Sequence, residues 1–334
     1  MDILSVLKKL NACHGPAGEE TGVVECIKNL AVDLCDEHWT DTMGNLIAHK
    51  KGTGAKVMFA AHMDSIGLIV THVEENGFLR FGKLGGLNLP AILYTCVRFA
   101  NGTRGLVSLD ESADLKKLSV EDMYIDIGAH SREEAEKLVQ IGDTAVFDTD
   151  SIAAGDRIIS PYMDNRISCV ILLAAMEKLA QCENDLYFVF TTQEEVGLRG
   201  AKTAAYSIDP DYALAIDVTL SDDVPGAKHN GSSVLGKGAA IKVMDSSVIS
   251  HPQVVSILTA LAKEKNIAYQ SDVIRGGGTD AGAIHVSRAG VYTGGISIPC
   301  RYIHTPTEMV QISDVEACID LTVAFANAKL ETGV

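Results

Sequence analysis

The sequence predicts an α/β protein, a central mixed sheet flanked by helices, with a small β-rich domain inserted into it. Three observations carry this. Apolar runs that read as buried strands alternate with helix-period segments over most of the chain. Polar, chemistry-bearing residues follow directly on several of those runs. Between about Val70 and Asp156 the alternation gives way to short strands joined by glycine-containing turns. At 334 residues and 47% hydrophobic content, the chain is long enough for two domains and apolar enough for a substantial core.

Taken in order, Ile3, Leu4, Val6, Leu7 and Leu10 fall at helix spacing within residues 2–11. A second helical pattern follows Gly15-Pro16 over residues 18–35. Asn45–His49 and Val57–His62 read as strands, with Lys50-Lys51-Gly52-Thr53-Gly54 between them as a hairpin turn. In the inserted region, Phe78–Phe81, Leu93–Phe99, Arg104–Leu109 and Thr144–Phe147 are short strands. Ser131–Val139 is a helix there, opened by Ser131 with Glu134 three residues on, the signature of a capping box. From Asp164 a helix runs through Val170, Ile171, Leu172, Leu173 and Met176, and its all-round hydrophobicity predicts burial. Then come a strand at Leu186–Phe190, a helix near 200–206, a strand at Tyr212–Ile216 and another at Ala239–Met244. Helix 252–265, strand 267–271, helix 280–288, strand Gly294–Ile303 and helix 313–329 complete the chain. The domain division is therefore 1–69 with 157–334 as one body and 70–156 as the insert.

Glu194 and Glu195 stand just beyond the strand Leu186–Phe190. Successive side chains in extended backbone point opposite ways, so two adjacent carboxylates can divide the work, one ligating a metal and the other serving as a base. Taken alone, such a pair is more often solvated surface. Four further segments change the weighing. His62 and Asp64 end the run from Val57, Asp217 ends the run from Tyr212, His304 ends the run from Gly294, and Asp164-Asn165-Arg166 opens the long helix. In an open α/β sheet the ligand crevice lies at the carboxyl ends of the strands, so this fold would bring them together. Two histidines, two aspartates and a glutamate suit zinc, cobalt or manganese better than a thiolate-seeking ion. Five ligands exceed what one catalytic metal needs, and a carboxylate bridging two ions about 3.5–4 Å apart accounts for the surplus.

These blocks, His62-Met63-Asp64, Met163-Asp164-Asn165-Arg166, Glu194-Glu195-Val196-Gly197, Ile216-Asp217 and Arg301-Tyr302-Ile303-His304-Thr305-Pro306, resemble those of the M42 metallo-aminopeptidases, the tetrahedral, glutamyl aminopeptidase-like group. Gly276-Gly277-Gly278-Thr279-Asp280-Ala281 resembles a sixth block in the right order, and the likeness spans nearly the whole chain. The resemblance implies that Asp164 bridges two metals, His62 and Asp217 completing one site and Glu195 and His304 the other. It implies Glu194 as general acid/base and Asp64 as the carboxylate that orients His62, with Gly278, Thr279 and Arg301 as substrate-binding residues. It further implies that the insert serves dimerisation and assembly, within a homododecamer built from dimers. Met163 before the bridging aspartate and Ser168 after it depart from the small residues expected there, which bears on packing and substrate preference rather than on ligation.

A net charge of −16 disfavours nucleic acid and anionic membranes as partners. Eight cysteines without a Cys-x-x-Cys pair read as reduced thiols. The opening residues lack a signal architecture and no run reaches about 18 apolar residues. The expected location is the cytoplasm. Peptides with a free N-terminus are the expected substrates, and zinc or cobalt, then manganese, the expected cofactors, two per subunit. The alternatives are a metal-dependent amidohydrolase or deacylase of acylated amino acids, more distantly a glycosidase, or a non-catalytic scaffold. Two strand-end histidines have no place in glycosidase chemistry, which sets its two carboxyls roughly 5–9 Å apart. No Gly-x-Ser-x-Gly elbow supports a serine hydrolase. Gly276–Asp280 lacks the lysine of a phosphate loop, and a tight turn with Asp280 capping the next helix weighs evenly against a substrate role. Gly85-Gly86 reads as turn chemistry, Trp39 as a packing residue and Glu308 as an outer carboxylate near His304. His14, His38, His49, His72, His130, His229, His251 and His285 have no ligand pattern around them.

Overall fold

The structure, a computed structural model, describes residues 1–180, 182–228 and 231–331. Its described strands form an 11-stranded mixed sheet and a separate closed barrel. In the middle of the sheet, Leu46–Lys50, Asp185–Thr191, Lys56–His62, Tyr212–Leu220 and Tyr292–Arg301 lie side by side in that order. The last four are parallel, with Thr191 opposite His62, Ala215 opposite Ala60, and Asp217 opposite Ser297. Their carboxyl ends therefore share one edge, where an open α/β sheet places its ligand crevice.

The hairpin expected between residues 45 and 62 does not form. Asp185–Thr191 lies between the two strands, antiparallel to Leu46–Lys50 and parallel to Lys56–His62. The glycine-containing turn instead crosses the entry to that strand. Thr53 and Gly54 donate their N–H groups to the Glu183 carbonyl, and a Cβ on Gly52 would come within 2.1 Å of the Asn184 carbonyl oxygen. The true hairpin partner of Leu46–Lys50 is Glu37–Thr40. That edge strand is largely exposed, so it carries no apolar alternation to betray it; Trp39 on it is 40% exposed and packs edge-on against His49.

Helix Met163–Lys178 buries every residue from Met163 to Met176, as its uniform hydrophobicity requires. It packs between the sheet and the opening helices Ile3–Ala12 and Thr21–Ala31. Arg166, fully buried, donates to the carbonyls of Leu10, Cys13 and Gly15, which satisfies a charge that burial would otherwise penalise. Arg199–Ile208, Pro252–Glu264 and Ile312–Ala326 are helices close to where periodicity puts them. The helix expected at 280–288 is only the single turn Ala281–Ile284, and the strand expected at 267–271 is Tyr269–Val273.

The barrel consists of Gly67–Val73, Leu79–Leu84, Met123–Asp126, Arg104–Leu109, Cys96–Phe99 and Thr144–Phe147. Its interior is a second hydrophobic core that includes Leu68, Val70, Leu79, Phe81, Val97, Phe99 and Ile125. Its first strand starts at Gly67, ahead of the boundary at residue 70. The expected helix there shortens to Arg132–Glu136. The Ser131 hydroxyl accepts the Glu134 N–H, but the Glu134 carboxylate takes the His130 N–H, so the capping box is half formed.

Candidate active site

His62 is the last residue of its strand and is 1% exposed. Its Nε2 lies 3.0 Å from Asp164 Oδ1, 3.7 Å from Glu194 Oε2 and 3.8 Å from Asp217 Oδ1. On the other side of Asp164, Oδ2 is 3.3 Å from His304 Nε2, which in turn is 3.5 Å from Glu195 Oε2. Asp164 thus stands between two imidazoles, with Glu194 and Asp217 gathered on the His62 side and Glu195 on the His304 side.

The division of the two glutamates has a different origin from the one extended backbone would supply. The strand ends at Thr191, and Gln193 adopts a positive φ of 54°, so Glu194 and Glu195 lie in the turn that follows. Asp64, fully buried, accepts the Glu194 N–H on one oxygen at 3.0 Å and the Glu195 N–H on the other at 3.2 Å. The Glu194 carbonyl accepts the N–H groups of Gly197 and Leu198. Asp64 also serves His62: its backbone oxygen is 3.2 Å, and its carboxylate 3.4 Å, from Nδ1. That leaves Nε2 facing the cluster, as a carbonyl or carboxylate partner on the second ring nitrogen does for a ligating imidazole.

Glu308 proves more important than its sequence position suggested. It is 1% exposed, and its two oxygens accept the N–H groups of Asp164, at 2.9 Å, and His304, at 2.7 Å. Asp280 does not cap the following turn; its Oδ2 accepts the Thr191 hydroxyl at 2.5 Å, and burial pushes its pKa up to about 6. Gly85 has a positive φ, consistent with turn chemistry, yet Gly85 and Gly86 also pack on the site. A Cβ on the first would meet Glu195 Oε2 at 2.8 Å and on the second His304 Nδ1 at 2.9 Å. Arg301 makes a two-pronged ion pair with Asp223 and is absent from the cavity wall, whereas Gly278 and Thr279 line it. Among the described histidines, His62 and His304 line this cavity; His229 lies outside the described residues.

The electrostatics of the cluster call for a cation. Burial lifts the carboxyls of Glu194, Glu195 and Asp217 well above their usual range, and neighbouring carboxylates lift them further against the opposing pull of His62. Burial alone would lower the His62 pKa, but Glu194, Asp164, Asp64 and Asp217 outweigh it and raise it well above its ordinary value. Burial likewise works against the Asp164 charge, yet the bonds from His304 and His62 prevail and keep this carboxyl below its normal value. Among the described residues no lysine or arginine pairs with Asp164, Glu194, Glu195 or Asp217, and Glu195 Oε1 is buried without a hydrogen-bond partner. The donors also have the right spacing. His62, Asp164 and Glu195 offer atoms all within 4.8 Å of one another, as do His62, Glu194 and Asp217. Ligands held about 2.0–2.2 Å from a shared ion would sit at such separations, so the residues fit divalent metal.

Around the cluster opens a cavity of about 730 Å³, walled by Leu198, Val218, Leu220, Ile274 and Ile303 and by Arg275 to Thr279. A small, one-end-polar ligand would be enclosed there with its polar end at the cluster.

The profile of the M42 glutamyl aminopeptidase family matches residues 44–321. A lysyl aminopeptidase of Pyrococcus furiosus is 35% identical over 98% of this chain and 96% of its own length. The structure of aminopeptidase APDkam598 from the archaeon Desulfurococcus kamchatkensis superposes with a TM-score of 0.94 at 42% identity, covering 97% of this chain and 94% of the other. The TET1 peptidase of Pyrococcus horikoshii, described as able to assemble into a tetrahedron or a large octahedral shell, matches with a TM-score of 0.89 at 32% identity, over 97% and 99% of the two chains.

Proposed function

Because the chain belongs to the M42 family and is an aminopeptidase that hydrolyses N-terminal residues from peptides, we propose that it works with two divalent ions held on either side of Asp164. The observation that carries this is the position of Asp164 between His62 and His304, with Asp217 on one side and Glu195 on the other. Zinc or cobalt best suits this donor set, and manganese is the next choice. Ions bound there would polarise the scissile carbonyl and make water acidic enough to attack at neutral pH.

The chain's own residues supply the rest. Glu194, nearly buried and of raised proton affinity, takes a proton from the attacking water and returns it to the leaving amine. Asp64 and Glu308 hold the backbone of the two glutamates, of Asp164 and of His304 at fixed positions. The α-amine of the substrate is received among the cluster's carboxylates, and its first side chain lies along the aliphatic wall. The exposed Arg275 on that wall has no ion-pair partner among the described residues, so cationic N-terminal residues are disfavoured relative to neutral or acidic ones.

Two measurements test this reading. Exhaustive chelation is expected to abolish hydrolysis of free-amine peptides, and zinc, cobalt or manganese to restore it. Full activity in verified metal-free protein would rule the mechanism out. A panel of aminoacyl amides beside N-acyl amino acids is expected to show cleavage of the former; preferential cleavage of the latter would favour a deacylase. Within the panel, neutral or acidic residues should exceed lysine by up to about fivefold for one exposed charge, and Arg275→Ala should narrow that gap.

Assembly is proposed for the barrel. Its closure leaves no open strand edge to cover, so the role does not rest on edge pairing. What supports the role is the exposed apolar side chains on the segments between its strands, including Tyr94, Leu115, Leu138 and Ile141. A homododecamer built from dimers, facing its active sites inward, is the proposed particle. Replacing the insert, residues 70–156, by a short linker should shrink the particle in sedimentation; an unchanged large oligomer with the remainder folded would refute the assignment. No described helix is long and apolar enough to cross a membrane, and the described cysteines are free thiols. Cytoplasmic location is the proposal that accords with both.

A further inference from the structure

We infer that Glu20 is a positioning residue for the turn that carries Glu194 and Glu195, an assignment that rests on the roles proposed for those two residues. Glu20 sits at the N-cap of helix Thr21–Ala31, a position where a short Ser, Thr, Asp or Asn side chain ordinarily makes the cap. It makes no such cap. The side chain is 6% exposed, and Oε1 accepts two N–H groups instead: that of Gly18 at 2.8 Å and that of Gln193, 173 residues on in the chain, at 3.1 Å.

The second bond completes a series. The consecutive N–H groups of Gln193, Glu194 and Glu195 are received by Glu20 Oε1, Asp64 Oδ1 and Asp64 Oδ2. Two carboxylates from separate segments thus hold three successive amides. Gln193 is where the chain leaves the strand with φ at +54°, so its orientation decides where both glutamate side chains begin. Thr192 before it is fixed by Asn45, and Glu194 after it by Asp64. Arg199 bonds the Gln193 carbonyl and side-chain amide oxygen, and Glu20 receives the backbone N–H of this residue, at which the direction changes.

The consequences for the two glutamates differ. Glu195 has a second restraint in the His304 imidazole, 3.5 Å from its carboxylate, which metal would reinforce. Glu194, as a proton carrier, must meet the attacking water and the leaving amine without that help. Proton transfer is sensitive to misplacement of about 1 Å, which costs on the order of 10²-fold in well-oriented sites. Loss of Glu20 should therefore fall on turnover far more than on substrate or metal binding.

The test uses the full-length, metal-loaded enzyme. Glu20→Met keeps the length of the side chain and removes the acceptor, Glu20→Ala is its smaller counterpart, and Glu20→Gln keeps an oxygen able to accept both N–H groups. For each, kcat, KM, metal content and thermal midpoint are measured, with Glu194→Gln alongside. Glu20→Met, or Glu20→Ala if the methionine does not fold, is expected to lower kcat by about 10–100-fold, the usual effect of removing a group that orients a metal-site residue. KM and metal content should change little, and Glu20→Gln should recover most of the turnover. Wild-type kcat in the acceptor-less variants would overturn the assignment, as would a Gln variant as slow as they are, or a loss of kcat that simply follows lost metal. Glu194→Gln separates the two levels. Full turnover in that variant defeats the underlying reading, whereas an inactive Glu194→Gln beside a fully active Glu20→Met defeats only the role of Glu20.

Discussion

Glu194→Gln should keep both metal ions and lose about 10²–10⁴-fold in turnover, the range over which general acid–base catalysis contributes. The substitution preserves shape and leaves the backbone N–H groups of residues 193–195 on Glu20 and Asp64. What it removes is an oxygen able to take and release a proton. Glu195→Gln should behave differently, because Glu195 faces His304 and Asp164 and has one oxygen, Oε1, buried without a partner. A neutral amide there weakens a ligand, so the defect should appear as lost metal that excess metal partly restores. Metal analysis and steady-state kinetics on both variants distinguish the roles. Both glutamates stand close to His62 or its partners, so the experiment discriminates between the two arrangements. Metal lost from Glu194→Gln and kept by Glu195→Gln would exchange the two assignments, and full activity in both would remove the site altogether.

Lys242→Met should destabilise the protein by about 3–5 kcal/mol, the cost of leaving a buried charge without its partner. Lys242 is 1% exposed and Asp272 is fully buried; they face each other across the parallel pair Ala239–Met244 and Tyr269–Val273, with Nζ 2.6 Å from Oδ2. The remaining Asp272 oxygen accepts the hydroxyls of Thr219 and Ser233. Replacing the lysine alone strands the carboxylate, whereas the pair Lys242→Met with Asp272→Leu should recover much of the loss. Urea unfolding of the three variants measures it. A single-variant loss below about 1 kcal/mol would mean that the pair is not dry and that surface-like energetics apply. The pair also lies behind the substrate cavity, since Thr219 lines the cavity and the Arg275–Thr279 wall follows directly on the strand that carries Asp272.

Much of this was legible in the chain itself. Alternating apolar runs and helix-period segments identify the α/β body. His62, Asp217 and His304 follow such runs because parallel strands deliver their functional residues at their carboxyl ends. The uniform hydrophobicity of residues 167–176 shows in advance that their helix is covered on all sides. The family blocks fall in one order along nearly the whole chain, and the family match bears out that resemblance. Short elements leave a weaker mark. Edge strand Glu37–Thr40 is mostly solvent-facing, and Gly67–Val73 carries exposed Thr71 and His72 between buried neighbours, so neither has a clean period.

What the sequence determined by itself was the local part: which segments are helix or strand, which residue types stand at strand ends, and the chemistry those types favour. The tertiary structure decided what depends on partners far apart in the chain. It inserted Asp185–Thr191 between two strands that look like a hairpin, because strand order is set by packing across the sheet and leaves no periodic mark on either strand. It turned the Glu194-Glu195 pair out of extended backbone through Gln193, and brought Glu20, Asp64 and Glu308 onto backbone amides up to 173 residues away. Such bonds join a side chain to an amide that every residue but proline possesses, so residue identity at the receiving end carries no signal. Only the folded chain shows which amide each buried carboxylate meets.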